Sequence, residues 1–174
     1  MTAAHSAPET DDQPRTVVCP GCGSVLVLTA EVTGRHPGAS PSCWGLFEVT
    51  VRGLRDEAAQ DVQTAALLQL ALDTYDAQHL LPGRPGSAVL RLCLAVERGQ
   101  EPLTAAALAD RAADTDLASL QPPARWTTTL ADLAADLDVV DLPALVSAWA
   151  AATWADWAPA APQLRRATDA LLAG

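Results

Sequence analysis

The chain of 174 residues contains no lysine, no isoleucine and no asparagine. Without lysine there can be no Schiff-base catalysis, no internal aldimine with pyridoxal phosphate and no phosphate-binding P-loop lysine. Without asparagine there is no acceptor for N-glycosylation. The codons of all three missing amino acids are rich in A and T, so their absence indicates a GC-rich bacterial coding bias and not selection for function.

Positive charge is scarce. The chain has 11 basic residues, all arginine, against 21 acidic residues, which gives a formal net charge of -10. A phosphate backbone or an anionic membrane surface would on average repel such a protein. We therefore expect neither a nucleic-acid partner nor a membrane partner, and leave a protein partner open. Nothing in the sequence predicts the oligomeric state.

Long hydrophobic runs are absent as well. Residues 1–15 are polar and acidic, and we interpret them as a disordered leader, because a basic start and an apolar stretch typical of a signal peptide are missing. No run approaches the roughly 18 apolar residues of a membrane-spanning helix. The sequence therefore predicts a cytoplasmic protein, in which cysteines are more often thiols or metal ligands than disulfides.

The predicted fold class is mainly α, a helical bundle with a small N-terminal zinc-knuckle β-hairpin. Two β-branched runs, 16–18 and 25–29, flank Cys19-Pro-Gly-Cys22-Gly, as in a knuckle-shaped hairpin. From Ser40, which can cap a helix with Pro41 at its first position, the hydrophobic pattern is helical and its stripe runs to Leu54. Further helices are predicted at about 58–81, 86–98, 103–113, 127–137, 142–157 and 162–173, with an irregular crossing at 115–126.

The strongest chemical signal is the pair Cys19 and Cys22, since two cysteines at this spacing form half of a tetrahedral zinc site. Cys43 is the natural third ligand, because it lies in the first turn of a helix, where the helix dipole favours a thiolate. His79 is our fourth ligand, on the apolar stripe of its helix. The sequence thus predicts one Zn²⁺ held by these four residues in a single zinc-binding helical domain, residues 16–174.

Each assignment has an alternative. His36, seven residues before Cys43, is the substitute for the fourth ligand, and water or a carboxylate is another. A dithiol redox pair would require a βαβ context with the first cysteine at a helix start. Cys93 lies in an apolar helical run and is predicted to be a core residue. The spacing of Trp149 and Trp157 favours core packing over an aromatic ligand cage.

Five segments occur in a characteristic order: Cys19-Pro-Gly-Cys22-Gly, residues 38–44, residues 73–79, residues 91–99 and residues 149–157. In this order, over roughly residues 17–172, the chain resembles an uncharacterised bacterial family, the domain of unknown function 5946. The resemblance implies that Cys19, Cys22, Cys43 and His79 belong together, and it implies no activity.

Two functions are compatible with these residues. The first is a small soluble protein with a structural zinc site, acting as an interaction, accessory or regulatory protein, because a full Cys₃His shell leaves no position for water. The alternative is a zinc-dependent enzyme with an open metal position, or with an activated Cys19 thiolate, in a pocket between helices. A zinc-containing anti-sigma factor is disfavoured, since such proteins usually place a histidine at close helical spacing to Cys-x-x-Cys. The sequence does not decide whether the protein is an enzyme, and no catalytic residue is predicted.

Overall fold

The computed structural model describes residues 14–29, 35–80, 86–111, 117 and 119–173, and these are mainly helical. The predicted leader, except for its last two residues, lies outside the described residues. In chain order the elements are β1 (Thr16–Val18), β2 (Val25–Val27), α1 (Pro41–Thr50), α2 (Arg52–Glu57), α3 (Val62–Gln78), α4 (Ser87–Leu92), α5 (Pro102–Asp110), α6 (Leu130–Ala135), α7 (Leu142–Asp156) and α8 (Ala161–Ala173). The predicted class, mainly α with an N-terminal β-hairpin, is confirmed.

The knuckle is a tight turn between the two antiparallel strands. The Cys19 amide donates a hydrogen bond to the Ser24 carbonyl (2.8 Å), and the Gly23 amide donates to the Cys19 carbonyl (2.9 Å). Gly23 has a φ of 76°, which glycine adopts without steric cost. The turn buries both cysteine side chains, so that Cys19 is 1% and Cys22 4% exposed.

Helix α1 begins as the sequence predicts. The Ser40 hydroxyl accepts a hydrogen bond from the Cys43 amide (3.2 Å), and Pro41 occupies the first turn, where no amide hydrogen is needed. The predicted continuous stripe to Leu54 is wrong in one respect, because the helix ends before Val51 and the chain continues into the separate short helix α2.

Helix α3 is the central element of the described fold. It starts later than predicted, because the Asp61 side chain caps it by accepting a hydrogen bond from the Thr64 amide (2.7 Å). It packs against α2, α4, α5 and α7, and it ends immediately before His79. The end of α3 is thereby held near the knuckle.

Two short segments complete the helical part. Helix α4 continues into a π-helical turn, Cys93–Glu97, and the helical stretch ends before Gly99, whose φ is 65°. A three-residue 3₁₀ turn, Ala158–Ala160, joins α7 to α8. The ion pair between Arg98 and Asp169 (2.6 Å) then fastens the π-helical end to α8.

The described residues of the predicted crossing, 117 and 119–126, contain no helix or strand, as expected. This segment connects distant elements. The Trp126 indole donates a hydrogen bond to the Gly21 carbonyl (3.0 Å), and the Gln78 amide donates to the Thr128 carbonyl (2.7 Å). The segment therefore contacts the knuckle through Trp126, and Thr128, two residues further on, contacts the end of α3.

Buried apolar side chains form two clusters, one on each side of α3. The first lies mainly among α4, α5, α8 and the end of α7 and contains Cys93 and Trp157. The second lies among α1, α3, α6 and α7 and contains Phe47, Tyr75 and Trp149, with the knuckle cysteines at its edge. The predicted core positions of Cys93, Trp149 and Trp157 are confirmed by their burial. None of the described helices is long and apolar enough to cross a membrane.

Candidate metal centre

Four side chains from three parts of the fold meet at the edge of the second cluster. Cys19 and Cys22 come from the knuckle, Cys43 from the first turn of α1, and His79 from the residue that follows α3. Their ligand atoms all lie within 4.8 Å of one another, and all four residues are buried. The structure thus brings together the four residues that the sequence singled out.

The cluster has the dimensions of a tetrahedral site. The sulfurs of Cys22 and Cys43 are 3.8 Å apart. His79 Nε2 lies 3.3 Å from Cys19 Sγ and 3.5 Å from Cys43 Sγ. Tetrahedral zinc with bonds of about 2.3 Å to sulfur and about 2.0 Å to nitrogen has edges of about 3.8 Å between sulfurs and about 3.5 Å from sulfur to nitrogen. The donor set and its spacing fit a zinc-sized ion.

The imidazole of His79 is oriented by Tyr75, one helical turn earlier. His79 Nδ1 is 2.7 Å from the Tyr75 carbonyl oxygen, and a carbonyl only accepts hydrogen bonds, so Nδ1 carries a hydrogen. That hydrogen bond directs Nε2 toward the sulfurs, as outer partners of metal-bound histidines commonly do. The Tyr75 ring also stacks on His79, with centroids 4.0 Å apart.

Each sulfur has one hydrogen-bonding partner outside the cluster. The three pairs are the Ser40 amide with Cys19 Sγ (3.4 Å), the Ser24 hydroxyl with Cys22 Sγ (3.2 Å) and the Tyr75 hydroxyl with Cys43 Sγ (3.6 Å). The Ser40 amide and the Tyr75 hydroxyl donate in these pairs, whereas the Ser24 hydroxyl accepts from the Cys22 thiol and is placed to donate to its thiolate. An amide or hydroxyl that donates to a thiolate disperses its negative charge. The arrangement therefore suits three thiolates on one cation.

The knuckle lies directly against the end of α3. A Cβ atom at Gly21 would clash with the His79 ring and with the backbone oxygens of Gly38 and Gln78. Only a glycine lets the knuckle come this close. The position of His79 among the sulfurs thus depends on a residue that is not itself a ligand.

His36, the alternative fourth ligand, has other partners. Its Nε2 lies 3.1 Å from Asp76 Oδ1, and its Nδ1 accepts a hydrogen bond from the Gly38 amide (3.2 Å). Its ring stacks on Trp44, with centroids 5.7 Å apart. Both ring nitrogens are therefore engaged outside the cluster, and the histidine among the sulfurs is His79.

A family model matches residues 17–158, a stretch that includes the knuckle, α1, α3 and α7. The chain belongs to DUF5946, a family of unknown function. The resemblance noted from the sequence is thereby confirmed. No curated protein and no solved structure matches the chain significantly. Any function of this DUF5946 member therefore has to follow from its own residues.

Interactions within the cluster shift the pKa values of its own ligands. Hydrogen bonds from Cys22 and Cys43 lower the pKa of Cys19, whereas hydrogen bonding to Cys19 and Cys22 raises the pKa of Cys43. Burial lowers the pKa of His79, but hydrogen bonds to Cys19 and Cys22 outweigh it and raise this pKa to about 9. A thiolate is thus favoured within the cluster, and the thiolate is the form of cysteine that binds metals.

Aromatic rings enclose the site on the side of α1, and a cavity opens on the side of the knuckle. Tyr75 stacks on Phe47, with centroids 4.2 Å apart, and Trp44 packs beside both. Small-molecule sites are typically clefts of about 300–1,000 Å³. The cavity here has a volume of about 420 Å³, and Cys22, Ser24 and Trp126 are among the residues that line it. Cys22 therefore borders a surface cavity, while Cys43 and His79 have no exposed surface.

The sequence did not predict the buried ion pair that joins α3 to α4 in this DUF5946 protein. Asp73 on α3 pairs with Arg91 on α4 (2.6 Å) and accepts a hydrogen bond from Gln69 (3.0 Å). Its Oδ2 is buried without a hydrogen-bond partner among the described residues, and burial raises the pKa of Asp73 to about 6. The signal in the sequence was a charged residue between the apolar Leu72 and Tyr75 of the predicted helix.

Proposed function

We propose that the protein binds one zinc ion through Cys19, Cys22, Cys43 and His79 and that this ion is structural. The observation that supports the proposal is the convergence of four buried ligand atoms, from three separate parts of the fold, within 4.8 Å. Three thiolates and one imidazole in tetrahedral spacing are typical of zinc. Iron in a rubredoxin-like site is the competing metal, and its colour would reveal it.

A structural role is favoured by the completeness of the ligand set. Four protein ligands fill a tetrahedral shell and leave no position for a reactive water. The Ser40 amide and the Tyr75 hydroxyl also donate hydrogen bonds to the sulfurs of Cys19 and Cys43, which disperses the negative charge of the thiolates. The ion would join the hairpin to α1 and α3, so that the free energy of metal binding becomes part of the free energy of folding.

The biological role that follows is that of a small interaction, accessory or regulatory protein of the bacterial cytoplasm. The net charge of -10 disfavours nucleic acid and anionic membranes and leaves a protein as the partner. Residues 16–174 would form one domain, since both apolar clusters pack on α3.

The direct test is the metal content of protein purified without added zinc. Plasma mass spectrometry should find about one zinc ion per chain, as a closed site requires. Cys22→Ser and His79→Ala should lose the zinc. Cys93→Ser is the matched cysteine control and His36→Gln the matched histidine control, and both should retain it. A content below about a tenth of an ion per chain, unchanged by reconstitution, would contradict the proposal.

The second candidate function is a zinc enzyme with an open metal position. The observation that favours it is the cavity of about 420 Å³ that Cys22 borders. X-ray absorption on the zinc protein separates the two functions. Three sulfurs and one nitrogen as the full coordination shell support the structural site, whereas a bound water in place of one protein ligand supports the enzyme.

A further inference from the structure

We propose that Cys22 is an oxidation site of this protein, at which a hydroperoxide forms a sulfenic acid that Cys43 converts into a Cys22–Cys43 disulfide, with loss of the metal. The inference rests on the metal site proposed above. All three cysteines are ligands of the proposed ion, but Cys22 is the one that reacts with the oxidant first.

Access distinguishes Cys22 from the more deeply buried ligands. It lines the surface cavity of about 420 Å³, together with Pro123, Arg125 and Trp126. Its residual exposure is 4%, whereas Cys43 and His79 are at 0%. A hydroperoxide is small enough to enter such a cavity, and Cys22 is the ligand residue that lines it.

Cys43 provides the second sulfur of the disulfide. Cys43 Sγ lies 3.8 Å from Cys22 Sγ, and a disulfide requires about 2.05 Å, so the two sulfurs must approach by somewhat less than 2 Å. Cys22 is followed by Gly23, whose Cβ position has nothing within 4 Å, so the turn has room to adjust on that side. Cys19 is the competing partner, since its sulfur also lies within 4.8 Å of the Cys22 sulfur, and peptide mapping distinguishes the two products.

The reaction balances with one hydroperoxide as the oxidant. The Cys22 thiolate attacks one peroxide oxygen, the O–O bond breaks, and the leaving alkoxide or hydroxide takes a proton to become an alcohol or water. The Cys43 thiolate then attacks the sulfenic sulfur, the S–O bond breaks, and the hydroxide that leaves is protonated to water. In sum two thiolates are oxidised by two electrons and one peroxide is reduced.

Oxidation would exchange one cross-link for another. The metal would retain only Cys19 and His79 of its four protein ligands, too few for a tetrahedral structural site. The disulfide would keep the hairpin joined to α1, but the link from the hairpin to α3 through His79 would be lost. The end of α3, including Gln78, is therefore the part of the molecule whose contacts should loosen.

The experiment uses the full chain loaded with zinc and treated with hydrogen peroxide. A chromogenic chelator records zinc release, and peptide mapping identifies the disulfide. We expect one zinc ion released for each Cys22–Cys43 disulfide formed, with reversal by dithiothreitol and added zinc. Brief exposure in the presence of dimedone should trap the sulfenic acid on Cys22.

Matched serine variants test the assignment to Cys22. Ser24→Ala removes the hydroxyl 3.2 Å from the Cys22 sulfur, which would donate to the metal-bound thiolate, and should therefore speed zinc release severalfold. Ser42→Ala removes another buried serine hydroxyl, which accepts a hydrogen bond from the Thr29 amide, and should leave the rate unchanged. Cys93→Ser should also react like the wild type.

Three results would overturn the inference: dimedone on Cys19 or Cys43 first, a Cys19–Cys22 disulfide as the main product, or zinc retained in excess peroxide. The zinc content before peroxide is added separates this inference from the proposed function. Protein that carries no zinc at that stage contradicts both, whereas zinc-loaded protein that fails the peroxide test contradicts only the oxidation site.

Discussion

At the scale of single residues, Tyr75 organises the candidate metal centre without belonging to the ligand set. Its carbonyl accepts the Nδ1 hydrogen of His79, its hydroxyl donates to Cys43 Sγ, and its ring stacks on the imidazole. These contacts are compatible because residues four apart on a helix lie on the same face. One residue therefore positions two ligands that come from different parts of the fold.

Replacing Tyr75 by phenylalanine isolates the hydroxyl. Tyr75→Phe keeps the ring and the carbonyl but removes the donor to Cys43, and we expect zinc affinity to fall about tenfold, the usual effect of losing an outer-shell partner. Competition with a chelator of known affinity measures the change. Thr74→Val is the control, since it removes a buried hydroxyl that bonds to the Leu70 carbonyl and not to the sulfurs. Equal affinity of wild type and Tyr75→Phe would show that the hydroxyl does not act on the metal.

A second prediction concerns Gly21. Gly21→Ala should lower both the zinc content and the thermal midpoint, because the new methyl group would overlap the His79 ring and two backbone oxygens. Gly53→Ala is the matched control, in a helix and with nothing within 4 Å of the added methyl, and it should be neutral or stabilising by up to about 1 kcal/mol. Calorimetry and metal analysis of both variants check this, and a Gly21→Ala protein with normal zinc would show that the knuckle can move away from α3.

At the scale of elements, local signals were predictable from the sequence and contacts between elements were not. The Ser40 cap and the Cys-x-x-Cys turn depend on neighbouring residues, and the structure has both where they were expected. The choice of His79 over His36 depended on the apolar stripe of its helix, and the family resemblance agreed with it. The Trp126 contact with Gly21, 105 residues away in sequence, has no local signal, because it arises only when the crossing packs on the knuckle.

The junction of α3 and α4 predicts a dependence of stability on pH. Burial raises the pKa of Asp73 from 3.8 to about 6, although Arg91 and Gln69 lower it and Asp76 raises it further. The folded state therefore binds this proton more tightly than the unfolded state does, so its contribution is greatest below about pH 4. This contribution to the free energy of unfolding decreases by about 3 kcal/mol as the pH rises from about 4 to about 6, and it is constant at higher pH.

Chemical denaturation from pH 4 to pH 7.5, with the zinc content measured at each pH, tests this contribution. The free energy of unfolding of the wild type should decrease across the window relative to that of Asp73→Asn, which cannot lose a proton there. Asp110, exposed and 3.7 Å from Arg91, is the neighbouring carboxylate, and Asp110→Asn should keep the pH dependence of the wild type. An increase of wild-type stability relative to Asp73→Asn would show that the pair with Arg91 outweighs burial.

At the scale of the whole molecule, the two apolar clusters raise the question of how far the metal stabilises the fold. The knuckle cysteines and Cys43 belong to the second cluster, whereas Cys93 lies in the first, on the other side of α3. Cys93 is completely buried, and burial raises the pKa of its thiol to about 11. Its reactivity therefore reports opening of the first cluster and not the state of the metal site.

Thiol labelling with peptide mapping follows both clusters at once. Cys19, Cys22 and Cys43 should resist a bulky alkylating reagent until a strong chelator is added and should then react together, because the site buries all three side chains and the reagent is larger than a hydroperoxide. Cys93 should react only on denaturation, since the first cluster contains no ligand of the site. Reaction of Cys93 together with the other three would mean either that it is a ligand or that the first cluster opens when the metal leaves. Zinc lost in His79→Ala but kept in Cys93→Ala would favour the second explanation, and the two clusters would then unfold as one cooperative unit that depends on the metal.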